Sequence, residues 1–149
     1  MNTLNIEKKE KYAELMIKLN KATNEEYYYE AIFIEYAIIE DRLEALLKYA
    51  GLKYKQDNGT NIDIQKKINK IQNDAKFQDS YIKKHITPKI LNEIQLWKNE
   101  RNRLIHNLVN AKYDNEEIKN IALQGECLAK KISNKSTLIK RYFQKLSEK

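Results

Sequence analysis

The sequence predicts an all-α protein, and three observations support this class. Apolar residues recur at the three- and four-residue spacing of amphipathic helices along most of the chain. With three glycines and one proline in 149 residues, the chain has few of the residues that terminate helices. No segment shows the alternation of apolar and polar residues that is typical of strands. We expect one domain over residues 1–149, built as a bundle of about five to six helices.

The first two helices are predicted from their apolar stripes and end signals. Helix one runs from about residue 6 to residue 21. Thr23 and Glu26 have the spacing of a capping box, so the second helix is expected to begin at about residue 24 and to end before Gly51. Its segment AIFIEYAII is apolar on nearly every side. This helix is therefore expected to lie centrally in the bundle or against a second subunit.

The middle of the chain combines a loop with one short helix. The segment KYKQDNGTN, residues 53–61, has the composition of a loop. Isoleucines spaced for one helix face follow, and they predict a helix over about residues 62–73. Residues 74–86 fit either a loop or a short helix.

The last helices have clear starting signals. Thr87 provides a capping hydroxyl and Pro88 suits a first helical turn, so a helix is predicted over about residues 88–109. Asp114 caps a further helix. The segment SNKST, residues 133–137, is expected to break that helix before a final helical segment.

Charge and cysteine content limit the compartment and the partners. The net charge is +7, and residues 51–112 hold most of the basic excess, with 13 lysines and arginines against 6 acidic residues. Basic surface attracts polyanions, nucleic acid first, although a lysine-rich helix surface is the simpler explanation. We expect a cytoplasmic protein for three reasons. The chain has a single cysteine, it shows no apolar signal segment, and it has no apolar run long enough for a membrane helix.

One arginine lies where a helix normally presents apolar side chains to the core. On a wheel drawn at about 100° per residue, Arg101 lies near the centre of an apolar arc. The arc is formed by Ile90, Ile94, Trp97, Leu104, Ile105 and Leu108. Charged residues are seldom placed there unless they are paired. The stretch NERNRLIHNL, residues 99–108, is therefore the candidate for chemistry.

Two polar residues accompany this arginine. Asn102 and His106 are four residues apart, so they are neighbours on the helix surface, where the asparagine can hydrogen-bond the imidazole. Arg101 and His106 are about 140° apart on an ideal helix. They converge only if the arginine side chain reaches round the helix or if a second copy of the helix completes the site.

A purely structural role is the alternative for each of these residues. Arg101 would then pair with a carboxylate of the second helix, where Glu35 and Glu40 lie at the edges of the apolar face. The sequence does not choose between these two. His106 would be a satisfied structural group beside an apolar face. A functional site is favoured by the combination of these residues. An asparagine adjoins the arginine, a histidine follows five residues after it, and all three lie in the basic part of a helical chain.

The segment RNRLIH resembles the Arg-(four to six residues)-His motif of HEPN-domain ribonucleases, in which a polar residue commonly follows the arginine. The small helical bundle, the apolar second helix and the motif on a late helix are similar to that family from about residue 23 to residue 133. The resemblance implies an endoribonuclease that needs no metal or other cofactor. It also implies a homodimer in which two Arg–His pairs face one another across a shared cleft.

The resemblance also implies roles for the individual residues. His106 would be the general acid or base that acts on the ribose 2′-hydroxyl or on the leaving 5′-oxygen. Arg101 would bind the scissile phosphate, and Asn102 would orient the histidine or contact phosphate. Glu35 or Glu40 would support Arg101. The implied setting is a toxin–antitoxin or anti-phage abortive-infection system, with RNA as substrate and a cognate antitoxin or regulator as a further partner.

Other functions compete with this interpretation. A non-catalytic helical module that binds RNA or protein would use the same residues structurally. A component of a nucleotidyltransferase pair is a third alternative, but Leu108 stands where that subtype of the family carries a tyrosine. His85, His106 and Cys127 have no zinc-ligand spacing, so no metal site is expected.

Overall fold

The computed structural model describes residues 3–110 and 113–148, and this part of the chain is all-helical. Its six α-helices are α1 (Thr3–Asn24), α2 (Tyr28–Tyr49), α3 (Ile64–Asn73), α4 (Ser80–His85), α5 (Pro88–His106) and α6 (Asn115–Ser147), and a 3₁₀ turn over Ala75–Gln78 precedes α4. Within these ranges, none of the helices has both the length and the apolar composition that a membrane crossing requires. The predicted all-α class is confirmed.

The starts of the later helices follow side-chain caps. The Thr87 hydroxyl accepts a hydrogen bond from the backbone N–H of Ile90 (3.1 Å), and Pro88 occupies the first turn of α5. The Asp114 carboxylate accepts the backbone N–H of Glu117 (2.8 Å) at the start of α6. Each cap satisfies an N–H group that has no partner inside the helix. The predicted starts of these two helices are therefore confirmed.

The capping box predicted at Thr23 and Glu26 is wrong. The first helix continues through Thr23 and ends in a left-handed residue, Glu26, whose φ is 63°. The backbone N–H of Tyr27 bonds to the carbonyl of Ala22 (2.8 Å), and that of Glu26 bonds to the carbonyl of Thr23 (3.2 Å). This is a Schellman ending, which satisfies the last carbonyls of a helix. The second helix consequently begins at Tyr28, four residues later than predicted.

The break predicted at residues 133–137 is also wrong, because α6 is continuous for 33 residues. Hydroxyl side chains in this segment donate to carbonyls of the preceding turn, Ser133 to Ala129 (2.7 Å) and Ser136 to Ser133 (2.9 Å). Such bonds let serine remain inside a helix. The Ser133 hydroxyl also hydrogen-bonds the Tyr12 hydroxyl, which attaches α1 to α6.

The contacts between helices define their directions. The Lys131 ammonium lies 4.0 Å from the Glu93 carboxylate, and the Trp97 indole donates to the carbonyl of Ile121 (2.9 Å). The earlier residue of α5 thus contacts the later residue of α6, and these two helices are antiparallel. Helix α2 is parallel to α6, since Glu35 lies against Gly125 and Tyr49 lies beneath the Lys140 ammonium. It follows that α2 and α5 are antiparallel.

The core is tightly filled where α2 and α5 meet α6 at Gly125. Glu35 and Trp97 are 0 % and 1 % exposed, and both side chains lie against Gly125. A Cβ atom built on Gly125 would overlap Oε1 of Glu35 and lie 2.6 Å from Cζ2 of Trp97. Glycine is required here because the space that any side chain needs is already filled.

We predict that Gly125→Ala destabilises the protein. Overpacking a filled core costs about 1–3 kcal/mol or more, and alanine recovers only about 1 kcal/mol of helix propensity. We expect the free energy of unfolding, measured by urea denaturation, to fall by about 2 kcal/mol. Asn134→Ala, at an exposed position of the same helix, is the control and should change it by less than about 0.5 kcal/mol. An alanine variant as stable as the wild type would contradict this packing.

Candidate functional site

Helix α5 positions the guanidinium of Arg101 between two partners. Its Nη1 donates to Oδ1 of the adjacent Asn102 (3.1 Å). Its Cζ lies 4.0 Å from the centre of the Tyr36 ring, on helix α2. The Nε atom is buried and has no hydrogen-bond partner in the described part of the chain. The side chain is thus fixed by an amide and an aromatic face, rather than by an opposite charge.

Tyr36 forms the platform beneath this guanidinium. Cations are attracted to the negative face of an aromatic ring, by about 0.5–2 kcal/mol depending on exposure. Burial, and after it the carboxylate of Glu40, raises the pKa of the Tyr36 hydroxyl, whereas the charge of Arg101 lowers it. Because the net shift is upward, the phenol stays neutral, and the ring binds the arginine through its face.

The two carboxylates predicted to support Arg101 lie elsewhere. Glu40 lies 3.7 Å from the ammonium of Lys67, which is buried, and Glu35 is enclosed beside Trp97. Within residues 3–110 and 113–148, no carboxylate lies within 4.0 Å of the Arg101 guanidinium. The positive charge of Arg101 is therefore held in place without being neutralised by an ion pair.

Glu35 is a neutral acid at physiological pH. Its two carboxyl oxygens are buried without a hydrogen-bond partner in the described residues. Burial, with Glu126 as the smaller cause, raises the pKa of Glu35 from 4.5 to about 9. A carboxyl group in such an environment keeps its proton, because the ionised form would lose its hydration with no compensating charge.

His106 is the last residue of α5, and its side chain is exposed. The helix ends three residues earlier than predicted, at a cap where the Asn107 side chain donates to the carbonyl of Arg103 (2.8 Å). The predicted hydrogen bond between Asn102 and His106 is not observed among the described residues, and the Asn102 oxygen accepts from Arg101 instead. The imidazole thus lies at the end of α5, free to contact a ligand or a second molecule.

Arg101 and His106 do not face the same direction within one chain. Five residues along an α-helix correspond to a rotation of about 140°. The guanidinium is directed onto Tyr36 of α2, whereas the imidazole is exposed at the end of the helix. A site that uses both side chains needs a substrate that bridges them or a second copy of α5.

Exposed apolar side chains surround this end of the bundle. Tyr29, Phe33 and Tyr36 share one side of α2, and Arg101 and Ile105 share one side of α5. Tyr36 and Arg101 are in contact, and Leu108 and Val109 follow in the turn beyond α5. The residues of this apolar face, with their exposed fractions, are Tyr29 (51 %), Phe33 (71 %), Ile105 (40 %), Leu108 (48 %) and Val109 (97 %).

The apolar face corrects one sequence-based expectation. Ile105 and Leu108 were predicted to lie with Ile90, Ile94, Trp97 and Leu104 on the core side of α5, but only the latter four are buried. Helix α5 ends at His106, so Leu108 lies beyond the helix, and in the last turn Leu104 faces the core while Ile105 is exposed. Apolar residues that share a stripe can therefore face either the core or an uncovered surface.

Sequence reasoning missed two residues that shape the site. Tyr36 belongs to the apolar segment AIFIEYAII and was not singled out, yet its ring carries the guanidinium of Arg101. Lys98, one turn before Asn102, is only 7 % exposed and donates through its ammonium to Oε1 of Gln65 on α3. The spacing of Lys98, Arg101 and Asn102 was the available signal, because residues three and four apart share one helix face.

Among the described residues, there is no cluster of three or more histidine, cysteine, aspartate or glutamate side chains that could hold a metal ion. In comparisons with known proteins, no family model matches the chain, and neither does a curated protein or a solved structure.

Proposed function

We propose that the protein is a metal-independent endoribonuclease of the HEPN type. One observation carries the proposal: the half-buried Arg101 is fixed by Tyr36 and Asn102, and no carboxylate of the described residues lies within 4.0 Å of its guanidinium. A cation held in this way is suited to a phosphodiester, because its charge is available to a ligand and its side chain is already ordered. His106, exposed at the end of the same helix, is the proposed proton-transfer group.

The chemistry needs only what these residues supply. RNA carries its own nucleophile, and the 2′-oxygen attacks phosphorus while the 5′-oxygen leaves. His106 takes the proton from the 2′-hydroxyl or gives one to the 5′-oxygen, and Arg101 stabilises the charge that develops on the phosphate. The products are a 2′,3′-cyclic phosphate and a 5′-hydroxyl. In this proposal, Asn102 holds the guanidinium in position.

The proposed active unit is a homodimer. Two copies of α5 would compensate for the different directions of Arg101 and His106 within one chain. The apolar face beside these residues is the proposed interface, since exposed apolar patches in soluble proteins commonly mark contact surfaces. The setting proposed for this activity is a cytoplasmic toxin or anti-phage effector, with RNA as substrate and a cognate antitoxin or regulator as partner.

The experiment that tests the activity is cleavage of a defined single-stranded RNA by the purified protein in excess EDTA. We expect cleavage to persist in EDTA and the new ends to be 2′,3′-cyclic phosphate and 5′-hydroxyl, as read by mass spectrometry. Cleavage that EDTA abolishes, or products with a 5′-phosphate, would contradict the proposed chemistry.

We predict that Leu108→Asp combined with Val109→Asp converts the dimer into a monomer. Burying two carboxylates in an apolar contact carries a large desolvation cost, so we expect the dimer dissociation constant to rise at least about 100-fold. Analytical ultracentrifugation at micromolar concentrations measures it. Ile17→Asp changes an exposed apolar residue of α1 (68 % exposed) and is the matched control. A wild-type protein that remains monomeric at tens of micromolar would rule out the two-copy site.

A further inference from the structure

A basic cavity of about 620 Å³ lies between the loop that follows α2 and helix α3. Four lysines line it, Lys53 and Lys55 from the loop and Lys66 and Lys70 from α3. The buried side chain of Ile62 also contributes to the lining. The four lysines therefore place positive charge around one open depression of the surface.

The walls of this cavity are already ordered by the fold. The loop folds back on itself through an antiparallel bridge between Lys55 and Asn61, and the backbone N–H of Gln56 donates to the carbonyl of Thr60 (2.8 Å). The Lys70 ammonium donates to the carbonyl of Lys53 (2.8 Å), which attaches the loop to α3. A ligand would thus meet a pre-formed surface, which lowers the ordering cost of binding.

Two of the four lysines in the cavity, Lys55 and Lys66, are available to a ligand. Asp57 is the only carboxylate in the lining, and it pairs with Lys53. Lys55 and Lys66 have no ion pair within the described ranges of the chain. Asp63, next to the cavity, accepts the backbone N–H of Lys66 (2.8 Å) as the cap of α3. The cavity is consequently suited to an anionic ligand with more than one charge.

A polar connection joins this cavity to the candidate active site. The Gln65 side chain donates to Asn69, which lines the cavity (3.0 Å), and accepts from the Lys98 ammonium of α5. Lys98 lies one turn from Arg101 and Asn102. These hydrogen bonds therefore lead from the cavity on α3 to the helix that carries Arg101 and Asn102.

We infer that the lysine cavity binds the phosphodiester backbone of a single-stranded RNA whose scissile phosphate lies at Arg101. This inference rests on the proposed ribonuclease function. The ammonium groups of Lys55 and Lys66 contact phosphates, and the amides of Gln56, Asn58 and Asn69 hydrogen-bond ribose or base groups. Phosphate contacts of this kind position the strand without reading its sequence.

The test measures RNA binding separately from cleavage. Fluorescence anisotropy with a labelled single-stranded RNA of about 12 nucleotides, at 50–200 mM KCl, is performed on His106→Ala protein, which keeps the RNA intact. Adding Lys55→Gln and Lys66→Gln should weaken binding about tenfold. It should also reduce the slope of log K against log salt concentration by about 1.4, since each phosphate contact on a single strand contributes about 0.7 to that slope. Lys55→Gln alone, in the loop, should give about half of the reduction in salt dependence.

The matched control removes the same charge elsewhere. Lys9→Gln with Lys18→Gln, on the exposed side of α1, should leave the affinity within about twofold. An equal loss of RNA affinity in the two double variants would mean that only net charge matters. An unchanged affinity in the cavity variant would exclude a contact with the RNA there. Either result overturns the inference. In both cases, RNA cleavage by the wild type would leave the proposed function intact. A wild type that neither binds nor cleaves RNA would end both proposals.

Discussion

His106→Ala should reduce the rate of RNA cleavage by roughly 10²–10⁴-fold, the usual contribution of a general acid or base. The loss should appear in kcat/KM, while RNA binding changes little. Because the side chain is exposed at the end of α5, its removal should not affect folding. His85→Ala is the matched control, since His85 is the other histidine of the chain and lies beside Tyr81 on α4. It should retain the wild-type rate.

Arg101→Ala should lower the same rate by roughly 10²–10³-fold through lost electrostatic stabilisation. Arg103→Ala is the control, because Arg103 lies two residues away and pairs with Glu100 on the exposed surface (2.8 Å). The free energy of unfolding is the second readout. Breaking a buried ion pair costs about 3–5 kcal/mol, but within the described ranges Arg101 forms no ion pair and makes its polar contacts with Tyr36 and Asn102. We expect a loss of about 1 kcal/mol.

Two results would contradict the catalytic assignment. Cleavage at the wild-type rate by both variants would show that another protein, or another part of this chain, breaks the RNA. A loss of stability near 4 kcal/mol in Arg101→Ala, with no effect on cleavage, would indicate a structural arginine. The chain would then fit the alternative of a helical binding module.

The free energy of unfolding should fall as the pH rises from about 5 to about 9, because Glu35 keeps its proton only in the folded state. Its pKa is 4.5 in the unfolded chain and about 9 in the folded protein. Between these values the folded state binds one proton more than the unfolded state, so stability decreases by about 1.4 kcal/mol per pH unit. The contribution is fully present below pH 4.5 and is lost as the pH approaches 9.

Glu35→Gln should remove this dependence, because the amide has a similar shape and does not ionise. Urea denaturation at pH 5, 6, 7, 8 and 9 measures the slope for both proteins, and their difference isolates Glu35 from the other titrating groups. His85 is one of these, and its pKa is lowered, first by burial and then by Lys135 and Lys84. Glu14→Gln, at an exposed site of α1, should keep the wild-type slope. Parallel curves for the wild type and Glu35→Gln would contradict a neutral buried acid.

The helices could be predicted where local chemistry determines them. Thr87 with Pro88, and Asp114, are caps that act within four residues, and both helix starts follow them. The ending of α1 depends on a left-handed Glu26, a residue type that seldom adopts this conformation. In α6, Ser133 and Ser136 donate to carbonyls of their own helix, and Ser133 also contacts Tyr12 of α1. Such distant contacts cannot be derived from a local pattern.

The candidate site was predicted only in part. The position of Arg101 in an apolar arc indicated an unusual charge, and its guanidinium does lie between α5 and α2. Its partner could not be chosen from sequence, because Glu35, Tyr36 and Glu40 lie within six positions of one helix, and a rotation of that helix decides which side chain meets Arg101. Helix propensity does not specify that rotation. The catalytic role of His106 remains a prediction.

The crowding around Gly125 also has an evolutionary consequence. Glu35, Trp97 and Gly125 come from three different helices, yet they fill one common volume. A mutation that enlarges one of them is tolerated only after another has become smaller, so substitutions at these positions must accumulate in a particular order. Descendants of this protein should therefore change all three sites together or preserve all three, even though the sites are separated by dozens of residues along the gene product.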